Sequence, residues 1–328
     1  MSNHHTRRAT LGLITGAATL GLAPAHAAPS PLTAAPPPDR ELMVPVPGGR
    51  VYVRVNGDLA ARRPPLLMAH GGPGGSHASN LQAIALSGDR AVILYDQLDC
   101  GRSDAPGDPA NWTVPRFVAE IDPIRQALGL DRLHFLGHSW GGTLGLEYGA
   151  GRPTGLASLI LQGPLISTPV WIADARRLRA TLPPRVRAEL TRCDTIPADS
   201  PGCEAATEVF YNHFNAIERR PSWLQAYRDI LPMGFNPRLY QALWGPNEFR
   251  ADGQLATYDG TPLLRRIRAP TLVLSGRFDS ILPDTGRRFA RMIPRGEVQV
   301  IPGAAHAIQM DQPQRWLTAL DDWLRRFD

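Results

Sequence analysis

The sequence predicts an α/β fold, a mostly parallel central sheet flanked by helices and interrupted once by a helical insertion. Two observations carry this prediction. Short runs rich in β-branched residues alternate with longer amphipathic ones, and most of the short runs are apolar on both faces, as strands covered on two sides must be. The strand runs are residues 51–55, 66–70, 91–96, 133–137, 156–162, 271–275 and 297–301; helical patterns occupy 114–128, 141–149 and 312–327. From about residue 167 to 266 the strand rhythm stops and helix-like, Trp- and Arg-rich sequence replaces it. The expected organisation is therefore a core formed by residues 41–166 and 267–328, with a helical cap at 167–266.

With 328 residues, 43% hydrophobic and 20% charged, the chain can bury a large core and is neither disordered nor fibrous. All 35 basic residues are Arg, against 30 acidic ones. That balance is too even for a nucleic-acid binder. The densest basic run, Arg176, Arg177, Arg179, Arg185, Arg187 and Arg192, is expected to be a solvated helical face.

Residues 1–27 read as an address. Arg7 and Arg8 precede a mild apolar stretch at 11–22, and Ala25-His26-Ala27 offers small residues to a signal peptidase. A twin-arginine signal is the expected route, although Thr10 stands where such signals usually carry a bulky apolar residue. The protein is expected to be bacterial and exported, periplasmic or secreted. No later stretch reaches the ~20 apolar residues of a spanning helix. Residues 28–40 are a Pro-rich linker. Cys193 and Cys203 flank a short Pro/Gly/Asp segment that export would permit to close as a disulfide, with paired and free states both open. Cys100 would remain an odd thiol, and no Cys/His spacing fits a metal site. No cofactor is expected.

The chemistry enters at Gly137-His138-Ser139-Trp140-Gly141, between a strand run and a helical one. A nucleophile on such a turn is held tightly by flanking glycines, and its hydroxyl projects at a helix N-terminus that favours developing negative charge. Ser139 is the expected nucleophile. Serine needs a base, and the base an orienting carboxylate; in the α/β-hydrolase fold they follow in the order Ser, Asp, His. Asp279 and His306 each follow a strand run and fill those roles, while Asp284 is better placed as a helix cap. The oxyanion donors expected are the backbone N–H groups of Trp140 and of Gly72, in His70-Gly71-Gly72-Pro73-Gly74.

Together His70–Gly74, Asp96-Gln97 with Gly101-Arg102-Ser103, Gly137-His138-Ser139-Trp140-Gly141-Gly142 and Gly245-Pro246-Asn247-Glu248-Phe249 resemble the proline iminopeptidase family, from about Glu41 onward. The resemblance implies an α/β-hydrolase core, a helical cap, no metal, and release of an unblocked N-terminal residue, often proline, from peptides or small amides. It also implies cap carboxylates that bind the substrate amine. Glu248 matches one such position, Glu208 a second, and Glu204 is a neighbour of the second. Asp99 departs from the family, which usually has Gly there; it either alters substrate preference or caps its turn.

The physical reading agrees: a free α-amino group is a cation near neutral pH, and burying it requires carboxylates. Trp140, Tyr211, Phe214, Trp244 and Phe249 are candidates for an apolar wall around a pyrrolidine ring, and each is also a candidate core residue. An amide, ester or lactone hydrolase with the same triad is the alternative, and a non-catalytic ligand receptor on the same scaffold a third reading. The sequence leaves the oligomeric state open.

Overall fold

The computed structural model describes residues 1–2 and 28–328; the twin-arginine segment and its cut site lie outside the described residues. Eight strands form one sheet: β1 (Arg40–Val46), β2 (Gly49–Asn56), β3 (Leu66–Ala69), β4 (Val92–Tyr95), β5 (Leu133–His138), β6 (Leu156–Gln162), β7 (Thr271–Gly276) and β8 (Gly296–Ile301), ordered 1-2-4-3-5-6-7-8. β1 pairs antiparallel with β2 and β2 with β4, and all pairings from β4 to β8 are parallel. The seven expected runs are β2 to β8. The strand missed is β1, an edge strand that Pro45 marks as such because it cannot donate to a second neighbour.

β3, β4, β5 and β7 are buried along their whole length, as parallel strands covered on both faces should be. β8 is the exception: it closes the sheet, and Glu297, Val298 and Gln299 reach solvent. Two apolar layers sandwich the sheet. One includes Phe117, Phe135, Trp140 and Leu161; the other includes Leu136, Ile160, Trp316 and Leu320.

The expected helix over 114–128 is two, α1 (Val114–Val118) and α2 (Ile121–Leu128). Pro123 has no N–H for the Ala119 carbonyl, so the second helix restarts with the proline in its first turn. α3 (Trp140–Ala150) follows β5 directly. Between β6 and β7 lie α4 (Thr168–Arg179), α5 (Pro184–Cys193), α6 (Cys203–Phe214), α7 (Ser222–Asp229) and α8 (Pro237–Leu243). Part of this insertion has its own small core around Phe210, Phe214, Phe249, Leu178 and Leu190. Cys193 and Cys203 form a disulfide joining the end of α5 to the start of α6. Of the arginine run, Arg179 is buried and pairs with both Asp194 carboxylate oxygens at 2.9 and 3.0 Å; the other five are exposed. α9 (Pro283–Met292), α10 (Ile308–Asp311) and α11 (Pro313–Arg325) complete the chain.

The Pro-rich lead is laid against the domain. The Leu32 N–H donates to Gln82 Oε1 at 2.8 Å, and Asn56 donates to the Pro37 carbonyl at 2.7 Å.

Candidate active site

Ser139 stands between β5 and α3 with φ 57° and ψ −118°. A non-glycine residue there is strained, and the surrounding packing over-determines it. A Cβ on Gly137 would lie 2.0 Å from the Gly141 carbonyl oxygen, and one on Gly141 would lie 2.4 Å from that of Ala69. Both glycines are sterically required. The Ser139 N–H donates to the Gln162 carbonyl at 2.9 Å, and its carbonyl accepts from Gly142 at 2.8 Å and Leu165 at 3.1 Å. Trp140 opens α3, so its N–H has no partner within the helix.

Asp279 and His306 come together from the loops after β7 and β8. His306 Nδ1 is 2.7 Å from Asp279 Oδ1, and the fully buried carboxylate also accepts from the N–H groups of Ile281 at 3.1 Å and Gly276 at 3.2 Å. Nδ1 therefore donates, leaving Nε2 as the basic nitrogen. Burial alone would lower the His306 pKa, but the charge and hydrogen bond of Asp279, aided by Glu248 and Asp311, hold it above its ordinary value. Ser139, His306 and Glu248 line one cleft of about 460 Å³. Asp284, by contrast, is an exposed residue at the start of α9 bonded to Arg287.

The loop expected to supply an oxyanion donor, His70–Gly74, is built as a unit. His70 Nδ1 donates to the Gly71 carbonyl at 2.9 Å, and its Nε2 accepts from the Gln97 N–H at 3.1 Å. The Gln97 amide bridges the His70 carbonyl at 3.0 Å and the Trp140 indole N–H at 2.8 Å. Gln97 thus ties the loop to the turn that carries Ser139, a role that its place in the Asp96-Gln97 motif does not reveal. Gly71 and Gly72 line the cleft, and a Cβ on Gly71 would lie 3.0 Å from that of Ser139.

Asp99 builds its loop and does not line the cleft. It is buried at φ 62°, and its two oxygens accept from the Gly107 N–H at 2.7 Å and the Trp112 indole at 2.8 Å. Its backbone carbonyl, which any residue would present, accepts from Asn236, whose own N–H donates to the Gly74 carbonyl; the side chain's part is to hold Gly107 and Trp112.

The expected amine carboxylates separate. Glu248 faces Ser139's cleft, its Oε1 accepting from the Tyr240 hydroxyl at 3.0 Å, while the Trp171 indole holds its backbone carbonyl at 3.0 Å. Burial raises the Glu248 pKa, partly offset by His306 and Tyr240. Glu204 and Glu208 instead lie exposed along α6 in a second depression, sharing only the Tyr211 and Pro246 wall with the first. The side chains of Trp140, Phe214, Trp244 and Phe249 are core residues, leaving Tyr211 as the only one of the five expected aromatics at the cleft. Phe235, Pro237, Tyr240 and Pro246 complete its apolar lining.

His138 was not expected to matter. Its Nε2 is 3.3 Å from the His306 carbonyl, which can only accept, so that nitrogen carries the proton. Nδ1 is buried without a hydrogen-bond partner among the described residues. Burial, reinforced by His306, drives its pKa down to about 3, so it stays neutral beside the His306 ring. The end of α6 holds the His306 loop as well: the N–H groups of His306 and Ala307 donate to the Phe214 and Asn215 carbonyls at 3.2 and 2.7 Å.

Comparison with known proteins gives consistent matches. The family model described as alpha/beta hydrolase fold matches residues 64–313. A proline iminopeptidase of Heyndrickxia coagulans is 40% identical over 87% of this chain and 98% of its own. The crystal structure of the Mycobacterium smegmatis proline iminopeptidase superposes with a TM-score of 0.79 at 32% identity, covering 88% of this chain and 98% of that one. VinJ superposes at 0.80 with 32% identity, covering 89% of this chain and all of VinJ.

Proposed function

We propose that this chain, which belongs to the proline iminopeptidase family of α/β hydrolases, is a serine aminopeptidase that releases N-terminal proline or another unblocked residue from peptides and small amides. The observation that carries the reading is the Glu248 carboxylate in the same cleft as Ser139 and His306, with no ion pair to another residue among those described. An arriving ammonium supplies the missing partner and holds that carboxylate charged.

Ser139 Oγ attacks the carbonyl of the first residue while His306 Nε2 takes its proton, and Asp279 stabilises the imidazolium. The oxyanion forms against the backbone N–H groups of Trp140 and Gly72, donors that need no reorganisation as charge develops. His306 then protonates the leaving amine, and water attacks the acyl-enzyme by the same route. Glu248, within a hydrogen-bonded wall, sets where the chain's amino end stops, which makes the reaction an exopeptidase one.

Export is part of the proposal. Its support is the pair Arg7 and Arg8 ahead of an apolar stretch, together with a Cys193–Cys203 disulfide suited to an oxidising compartment.

The test is hydrolysis of a prolyl arylamide against its N-acetyl form. The free-amine substrate is expected to be cleaved ten- to a hundredfold better, the worth of a charged hydrogen bond of about 1.5–3 kcal/mol. Equal rates would leave a general amidase or esterase.

A further inference from the structure

The cleft holds a second charge that the chemistry at Ser139 does not use. Arg228, at the end of α7, lines it half-buried; one Nη donates to the Gly234 carbonyl at 3.3 Å, and among the described residues no carboxylate comes within 4 Å of the guanidinium. The acid beside it in sequence, Asp229, is exposed and accepts from Gln225 at 2.6 Å. Burial lowers the Arg228 pKa and the like charge of Arg220 lowers it further, with Asp229 offsetting only part. A half-buried cation without an ion-pair partner is costly, and an anionic ligand would complete it.

The surroundings suit a small polar ligand. Ser76, Ser79, Asn215 and Gln241 add uncharged polar residues to the same cleft. A cleft of about 460 Å³ is in the range that encloses a small molecule. An extended chain of two or three residues spans only about 7–11 Å. Arg228 and Glu248 are not paired with each other, so the cleft offers a cation and an anion separately.

We propose that Arg228 binds the C-terminal carboxylate of a short peptide, making di- and tripeptides with both termini free the preferred substrates, their ammonium on Glu248 and their carboxylate on Arg228. This rests on the aminopeptidase reading and specifies its substrate class. A guanidinium suits the task because its fork matches a carboxylate in two hydrogen bonds.

The experiment compares kcat/KM for Pro-Leu and Pro-Leu-Gly as free acids with their C-terminal amides, using a prolyl arylamide as reference. The wild-type protein is expected to favour at least one acid over its amide by about ten- to a hundredfold. In Arg228→Gln that ratio falls to about one, and in Arg228→Glu it inverts. Each ratio is taken within one protein, so loss of folded enzyme cancels. A wild-type ratio near one for both lengths, or an acid preference that survives in Arg228→Gln, overturns the assignment. Failure to cleave the arylamide would instead overturn the aminopeptidase reading beneath it.

Discussion

Gly163, the residue after β6, offers a way to disturb the acid–base pair without touching either member. Its φ is +48°, and a Cβ there would lie 2.7 Å from His306 Nδ1, 2.8 Å from its Cε1 and 3.1 Å from Asp279 Oδ2. Carbon contacts settle near 3.5–4.0 Å, so in Gly163→Ala the imidazole must retreat by roughly 0.8 Å or more. The retreat takes it off the 2.7 Å bond to Asp279. A misplacement of about 1 Å near the chemistry can cost about a hundredfold in rate, and the left-handed backbone adds about 1–2 kcal/mol of strain for alanine. The expected outcome is a kcat near one-hundredth of wild type on a prolyl arylamide, with a folded protein by circular dichroism and a stability loss of only about 1–2 kcal/mol. The assay is steady-state kinetics beside denaturant unfolding. A variant with a kcat within twofold of wild type would refute the placement of the His306–Asp279 pair.

Glu248→Gln removes one of the charges that hold the His306 pKa above its ordinary value. With His306 as the neutral base of the proposed mechanism, wild-type activity is expected to rise with pH through a midpoint above about 6.5, and the variant's acid limb should move to lower pH. An unmoved limb in a kcat/KM profile would show that Glu248 is not close to the base. Glu120 is buried with its pKa pushed up to about 7, chiefly by burial, despite its 2.9 Å bond from Arg116. A carboxyl group that holds its proton more tightly folded than unfolded gives stability that declines as pH rises between the ordinary value near 4.5 and about 7. Unfolding free energy should therefore fall by about 3 kcal/mol between pH 5 and 8 on this group's account, and Glu120→Gln should flatten that slope; an unchanged slope would contradict it.

Much of this was written in local patterns. Fully buried parallel strands show as short apolar runs, and the Ser, Asp, His order is legible because each residue follows its own strand. What stayed hidden depended on long-range geometry. β1 is an edge strand half in solvent, so it lacks the apolar signature of its neighbours. Glu208 and Glu248 both match amine-binding positions in the resemblance, with Glu204 a neighbour, yet they line different depressions that share Tyr211 and Pro246. Trp140 lies beside the nucleophile in sequence, yet its ring turns into the core to meet Gln97, 43 positions away. Arg228 was indistinguishable from the other arginines until its burial and missing partner were visible. Asp99 stood out as a departure, but its purpose required knowing that Gly107 and Trp112 fold back over it.

The identity of the first product tests most directly whether Ser139 carries out an exopeptidase reaction. The protein lacking residues 1–27 is incubated with an unblocked peptide that begins with proline, and the products are followed by mass spectrometry. Free proline should appear first, accompanied by the peptide shortened by one residue at its amino end, with neither formed by Ser139→Ala. Cleavage inside the peptide, or undiminished release of proline by the purified Ser139→Ala variant, would contradict the account.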